Sequence, residues 1–154
     1  MKMKRMLKTA VALVAVVCIF ANCASVFAAA SEIIINGKTA TISADMGKIV
    51  EKDNRTLVPV RFLLEYLGFD VEWVEESQTV MGVHPDGQSF VMQVGNPVLF
   101  FFDEVYNLQK IQMDTTPILN NQEGRTYVPI RFIAEAMKYQ VGWDEATQTV
   151  TLTK

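Results

Sequence analysis

One hydrophobic pattern occurs twice along the chain. From Arg55 it reads RTLVPVRFLLEYL, and from Arg125 it reads RTYVPIRFIAEAM. In the first block Val60, Leu63, Leu64 and Leu67 fall at i, i+3, i+4 and i+7, one apolar face of a short helix; Ile130, Ile133, Ala134 and Met137 repeat that face. Pro59 and Pro129 suit the first turn of each helix, where a missing N–H costs nothing, and each proline ring pushes the preceding valine towards extended geometry. RTLV and RTYV are therefore extended approaches. Gly68 supplies a stop for the first helix; Lys138 stands at that place in the second, so a different exit is expected there.

After each helix the period changes to two. Val71 and Trp73 alternate with polar neighbours, as do Val141 and Trp143; turns follow at Glu75-Glu76-Ser77 and Glu145-Ala146-Thr147, and QTVMGV and QTVTLT complete two hairpins. Two more hairpins precede the helices. IIINGKTATI carries Asn36-Gly37, a two-residue turn signal, and VLFFFDEVYNLQ turns near Asp103-Glu104. QSFVMQV reads as a linking strand, and residues 43–54 and 114–124 read as loops entering the helices. Across the two blocks Arg55, Thr56, Val58, Pro59, Arg61, Phe62, Glu65, Val71, Trp73, Glu75, Gln78, Thr79 and Val80 all return seventy positions later. That is an internal duplication. Short antiparallel strands with two helices make an α+β domain. Neither half alone covers its helix and both faces of its sheet, so one cooperative domain of two similar halves is expected, with the helices close together against the sheet.

The first thirty residues stand apart from this pattern. Lys2, Lys4, Arg5 and Lys8 precede an uncharged apolar run over residues 9–21, and Val26-Phe27-Ala28 or Ala28-Ala29-Ala30 fits a small-x-small cleavage rule. These are the three parts of a secretory signal peptide, assigned to residues 1–30, with the domain over residues 31–154. The run is shorter than the ~20 residues of a spanning helix, so no membrane span is expected after cleavage. Cys23 follows Phe20-Ala21-Asn22, a poor match to a lipidation signal. Both cysteines, Cys18 and Cys23, fall in the removed segment, which leaves a mature chain without disulfides. Cleavage also removes four of the fourteen Lys and Arg, leaving ten against seventeen Asp and Glu, a net of −7. That balance argues against a nucleic-acid partner, which needs a basic face, so none is expected, and against adhesion to anionic polymers by overall charge.

Candidate chemistry is sparse. His84 lies before Pro85 at a strand end and reads as a solvated turn residue; no nucleophile–base pair and no second histidine accompany it. Asp70, Glu72, Glu75 and Glu76 cluster, as do Asp144 and Glu145, and read as solvated hairpin turns rather than a carboxylate pair for hydrolysis. Glu75-Glu76 lacks a calcium-ligand spacing. Arg61 and Arg131 each have a Glu four residues on, Glu65 and Glu135. Either they form guanidinium forks for a carboxylate-bearing polymer, or each is an internal ion pair tying helix to hairpin. The second is expected, because both copies keep Arg, Glu and the turn acid together. Trp73 and Trp143 face a similar choice, sugar stacking or core burial, and their alternation beside valine favours the core. Phe100, Phe101 and Phe102 are consecutive, so they cannot share one strand face. Phe101 is taken as the candidate contact of an interaction edge in FFFDEVY.

GRTYVPIRFIAEAM and VGWDEATQTVTL resemble the stalk domain family of exported bacterial proteins, also called copper amine oxidase N-terminal domain-like. The resemblance runs from about Ile33 to Lys154. The first copy departs at Asn54, where Gly is usual, and at Val74, where Asp is usual. The resemblance implies an antiparallel β-sheet wrapped around helix, in an accessory module often found beside cell-wall hydrolases, proteases or surface-layer repeats. The family name suggests copper and oxidase chemistry. A type-2 copper site needs several imidazoles, and the chain has one histidine; Tyr66, Tyr106, Tyr127 and Tyr139 carry no redox-cofactor sequence. No cofactor and no metal are expected. The expected function is a non-catalytic exported module, secreted or associated with the cell wall, that binds a cell-envelope component such as wall polymer or another exported protein. The alternatives are a structural, self-associating domain and a small carboxylate-dependent cell-wall hydrolase.

Overall fold

The computed structural model describes residues 30–154. The expected signal peptide, with Cys18 and Cys23, lies outside the described residues except for Ala30, which packs into the core. The described residues open with β1 (Glu32–Ile35) and β2 (Lys38–Thr39), then β3 (Val50–Lys52), β4 (Arg55–Pro59) and α1 (Val60–Tyr66). The next five strands are β5 (Asp70–Val74), β6 (Thr79–Val83), β7 (Ser89–Gln93), β8 (Val98–Phe102) and β9 (Leu108–Gln112). β10 (Ile118–Asn120), β11 (Arg125–Pro129), α2 (Ile130–Ala136), β12 (Gln140–Asp144) and β13 (Thr149–Thr153) complete it. The fold is thus mostly antiparallel sheet with two short helices, an α+β domain.

The strands form three sheets, ordered β10-β11-β4-β3, β5-β6-β7-β8-β9 and β12-β13-β1-β2. In the first, the approach strands of the two repeated blocks pair antiparallel. Val58 faces Val128, the matching residue seventy positions later, and Leu57 and Pro59 face Pro129 and Tyr127. Leu57, Val58, Tyr127 and Val128 are all buried there. Each helix then lays its apolar face into the common core: Val60, Phe62, Leu63 and Leu64 from α1, Ile130, Ile133, Ala134 and Ala136 from α2.

Four details differ from the sequence reading. β1 pairs parallel with β13, whereas every other pairing is antiparallel. A lone two-stranded hairpin is marginal in water, and the N-terminal strand supplies the third strand that β12–β13 needs, as β7 does for β5–β6. The two loops entering the helices each contain a strand, β3 and β10. The β3–β4 turn runs through Asp53 and Asn54, both at positive φ (53° and 57°), the geometry also adopted at Asn36-Gly37 (49° and 76°). Both prolines fall one residue earlier than expected, as helix N-caps that also end a strand. Finally, the two helices leave in the same way. Gly68 (φ 91°) and Lys138 (φ 67°) are both left-handed, with matching bonds from their N–H groups to the Glu65 and Glu135 carbonyls. The backbone bonds of the exit dictate its shape, and Lys138 accepts a conformation that suits glycine.

Candidate functional site

Two grooves open beside the helices, at matched places. One, of about 160 Å3, is lined by Glu51, Asn54, Arg55 and Thr56 of the β3–β4 hairpin, by Pro129, Ile130 and Arg131 at the start of α2, and by Val141, Gly142, Trp143 and Val150 of the β12–β13 hairpin. Every one of these has its counterpart, seventy positions away, lining the other groove: Asn121, Gly124, Arg125 and Thr126; Pro59, Val60 and Arg61; Val71, Glu72, Trp73 and Val80. This second groove extends further, past Asp45, Met46, Glu75, Leu119 and Glu123, to about 530 Å3. Each groove therefore joins the helix start and hairpin of one copy to the approach hairpin of the other. Both bring together two guanidinium groups and one indole.

Of the five residues singled out in the sequence, the structure places Arg131 with Trp143 in the smaller groove and Arg61 with Trp73 in the larger. Phe101 belongs to neither. It is buried, with its ring centroid 4.8 Å from that of Phe90. Alternation along β8 sends Leu99 and Phe101 inward and leaves Phe100 and Phe102 half-buried on the other face. The exposed apolar surface of that segment lies instead at Val105, Tyr106 and Leu108.

The expected arginine clamps are not formed. Arg61 reaches only Glu65, at 3.6 Å and on the surface, and Arg131 is exposed with no ion pair among the described residues. Helical spacing places both side chains outward, away from the core-facing stripe, so neither crosses to a hairpin. The arginines that tie the fold together are Arg55 and Arg125. Arg55 grips both Asp114 carboxylate oxygens, its Nε lying 3.1 and 2.9 Å away, and fixes the segment leading to β10. Arg125 donates to the Asp45 carbonyl, in the segment leading to β3, and to the Glu123 carbonyl at 3.0 Å. Each strand-opening arginine thus holds the entry segment of the other copy. The repeat marked Arg55 and Arg125, but Asp114 and Asp45 lie outside the repeated block and carried no signal.

Two further networks brace the groove walls. Lys52 Nζ donates to Asp53 at 2.8 Å and to Thr115 and Thr116, and Thr115 in turn donates to Asp53 at 2.8 Å. The Lys52 ammonium, then the Thr115 hydroxyl, hold the Asp53 carboxyl below its ordinary range. Tyr127 is buried and donates its hydroxyl to Glu123; burial first, then that bond, push the phenol above its ordinary range. Gly47 (φ 113°) packs against the same wall. A Cβ there would lie 2.8 Å from the Tyr127 hydroxyl and 3.1 Å from Arg125 Cδ.

The indoles differ in cover: Trp73 packs against the core, and Trp143 is less covered than expected. Trp143 is 38% exposed and Trp73 is partly buried. Alternation set the face on which each stands, but β5 and β12 are sheet-edge strands, and nothing packs fully over that face. The acidic cluster of Asp70, Glu72, Glu75 and Glu76 stands exposed, the reverse of the apolar setting that keeps a general acid protonated. His84 sits partly buried against Phe69, with Nδ1 2.7 Å from Asp86.

The chain matches the model of the copper amine oxidase N-terminal domain over residues 32–152, and it belongs to that family. The family is the non-catalytic N-terminal domain of those oxidases. No curated protein and no solved structure matches the chain. The donor set does not fit copper. His84 is the chain's one histidine, its Nδ1 is engaged by Asp86, and no group of three or more His, Cys, Asp or Glu among the described residues is arranged to hold a metal. No helix among the described residues is long and apolar enough to cross a membrane.

Proposed function

We propose that the protein is a non-catalytic exported module that binds a cell-envelope component or another exported protein through a groove between its two copies of the repeated block. The observation that carries this reading is the matched convergence of arginine and tryptophan in both grooves. Guanidinium and indole are the groups that recognise polymers by charge-assisted hydrogen bonds and ring stacking, and neither brings a reacting nucleophile or a tuned acid. In this reading the domain consists of two similar halves whose sheets wrap the two helices, and the grooves are the seams. Export follows from the charge, apolar run and small-residue ending of residues 1–30. The test is co-sedimentation of residues 31–154 with isolated wall polymer and with whole envelope. Saturable binding to either is expected; a protein that stays in the supernatant with both removes the adhesive reading.

A second reading, self-association, is favoured by one observation. Val105 and Tyr106 are more than 70% exposed at the β8–β9 turn, beside β9, an edge strand of the five-stranded sheet. It predicts a size in solution that grows with concentration and falls on Tyr106→Ser substitution.

A further inference from the structure

We infer that the two grooves have diverged and that the Trp143 groove alone takes a ligand, a sugar residue bearing a single carboxylate within an acidic glycan. This deepens the binding-module reading and rests on it. Differences at matched positions carry it. In the larger groove the Trp73 indole N–H is already donated to Glu75. The Trp143 indole makes no hydrogen bond among the described residues. Arg61 is engaged by Glu65 at 3.6 Å, whereas Arg131 is exposed and makes no ion pair among the described residues. Where Glu72 lines the larger groove, Gly142 lines the smaller. The larger groove sets four acids against two arginines, so it repels anions. The smaller sets Glu51 against Arg55 and Arg131.

That chemistry selects the ligand. Arg55 is occupied by Asp114, which leaves one guanidinium fork to receive one carboxylate. An exposed indole beside it offers a flat apolar face for the C–H side of a sugar ring, and its N–H offers a hydrogen bond to a hydroxyl. Glu51 and the net charge of −7 over residues 31–154 disfavour densely charged polymers, so recognition depends on this fork and ring rather than on overall attraction. At about 160 Å3 the cavity is smaller than the ~300–1,000 Å3 of drug-sized ligand sites, which fits a single ring with the rest of the glycan running outside.

The chain's two tryptophans make the grooves separately readable. In Trp73→Phe the emission reports the Trp143 groove; in Trp143→Phe it reports the other. Each variant is titrated with glucuronic-acid oligosaccharides, with N-acetylmuramic acid, and with neutral N-acetylglucosamine oligosaccharides. A saturable change is expected in Trp73→Phe with at least one acid sugar and not with the neutral one. Trp143→Phe is expected to show none. Adding Arg131→Gln to Trp73→Phe weakens the response about tenfold or more, the loss expected when a charge-assisted bond is removed, while circular dichroism stays unchanged. Response to one acid sugar alone assigns the carboxylate to a uronic acid or to a lactyl ether, and either upholds the inference. Equal response to neutral sugar, equal response from both grooves, or insensitivity to Arg131→Gln overturns it. So does silence in the titration while the protein still sediments with envelope, a result that leaves the binding-module reading standing. Loss of sedimentation as well removes both.

Discussion

Single residues carry both the support of the grooves and the strain at matched positions of the repeated block. Lys138 holds a left-handed backbone that Gly68 holds freely in the other copy. Lys138→Gly is therefore expected to raise stability by about 0.5–1 kcal/mol, the relief of the left-handed penalty less the entropy of a new glycine, as read by urea denaturation. Ionisation acts at both ends of the pH scale. Asp53 has a depressed carboxyl, so its contribution is present above about pH 4 and is lost as pH falls through its lower folded value. Tyr127 has a raised phenol, so the folded state keeps its proton while the unfolded chain loses it; that contribution is intact below about pH 10 and declines above it. Denaturation midpoints measured across pH should show both limbs. Asp53→Asn should make the acid one shallower without removing it, since the Asp45, Asp86 and Asp103 carboxyls are held low as well, and Tyr127→Phe should flatten the alkaline one. Asn36-Gly37 was legible as a turn because local sterics decide it. The working arginine clamps were not, because Arg55 and Arg125 find partners some sixty and eighty positions away.

Among the elements, the parallel pairing of β1 with β13 closes the chain on itself. Ile33 and Ile35 point into the core from β1, opposite Val150 and Leu152. Ile33→Ala should cost about 2–5 kcal/mol, and amide exchange should show β12 and β13 losing protection before β5 and β6. Equal loss across both hairpins would mean that β1 is not the support of the second. Helices, hairpins and the linking strand were legible from periodicity, since each buries one face. β3 and β10 were not, because three-residue strands show no period. The parallel partner of β1 was not either, because pairing between strands more than a hundred positions apart leaves no local mark. The exposure of Trp143 belongs to the same scale: alternation names a face, but only sheet order shows that β12 is an edge.

For the whole molecule, the proposed reading makes the repeated sequence block a way to build seams. Each groove needs a hairpin from one copy and a helix start from the other, so neither copy alone presents one. The Val58–Val128 pairing and the reciprocal holds of Arg55 and Arg125 tie the copies together at their centre. Unfolding should then be a single transition. Urea midpoints read from Trp73 alone and from Trp143 alone should coincide, and separated midpoints would mean two independent units. The matched arginine and tryptophan positions were visible in the sequence as repeats. Which of the two sets stays free rests on contacts that only the folded chain displays, Glu75 on Trp73 and Glu65 on Arg61. Among the described residues the recurring Glu145 and Glu135 make none with Trp143 and Arg131, and Glu72 stands where the other groove has Gly142.

The most direct measurement is envelope co-sedimentation of Arg131→Gln beside Arg61→Gln. Both substitutions remove an exposed guanidinium from the same place in the two helices. Arg61→Gln should bind as the unchanged protein does, and Arg131→Gln should lose about tenfold or more in affinity. Equal binding by all three, or a loss confined to Arg61→Gln, would contradict recognition through the Trp143 groove.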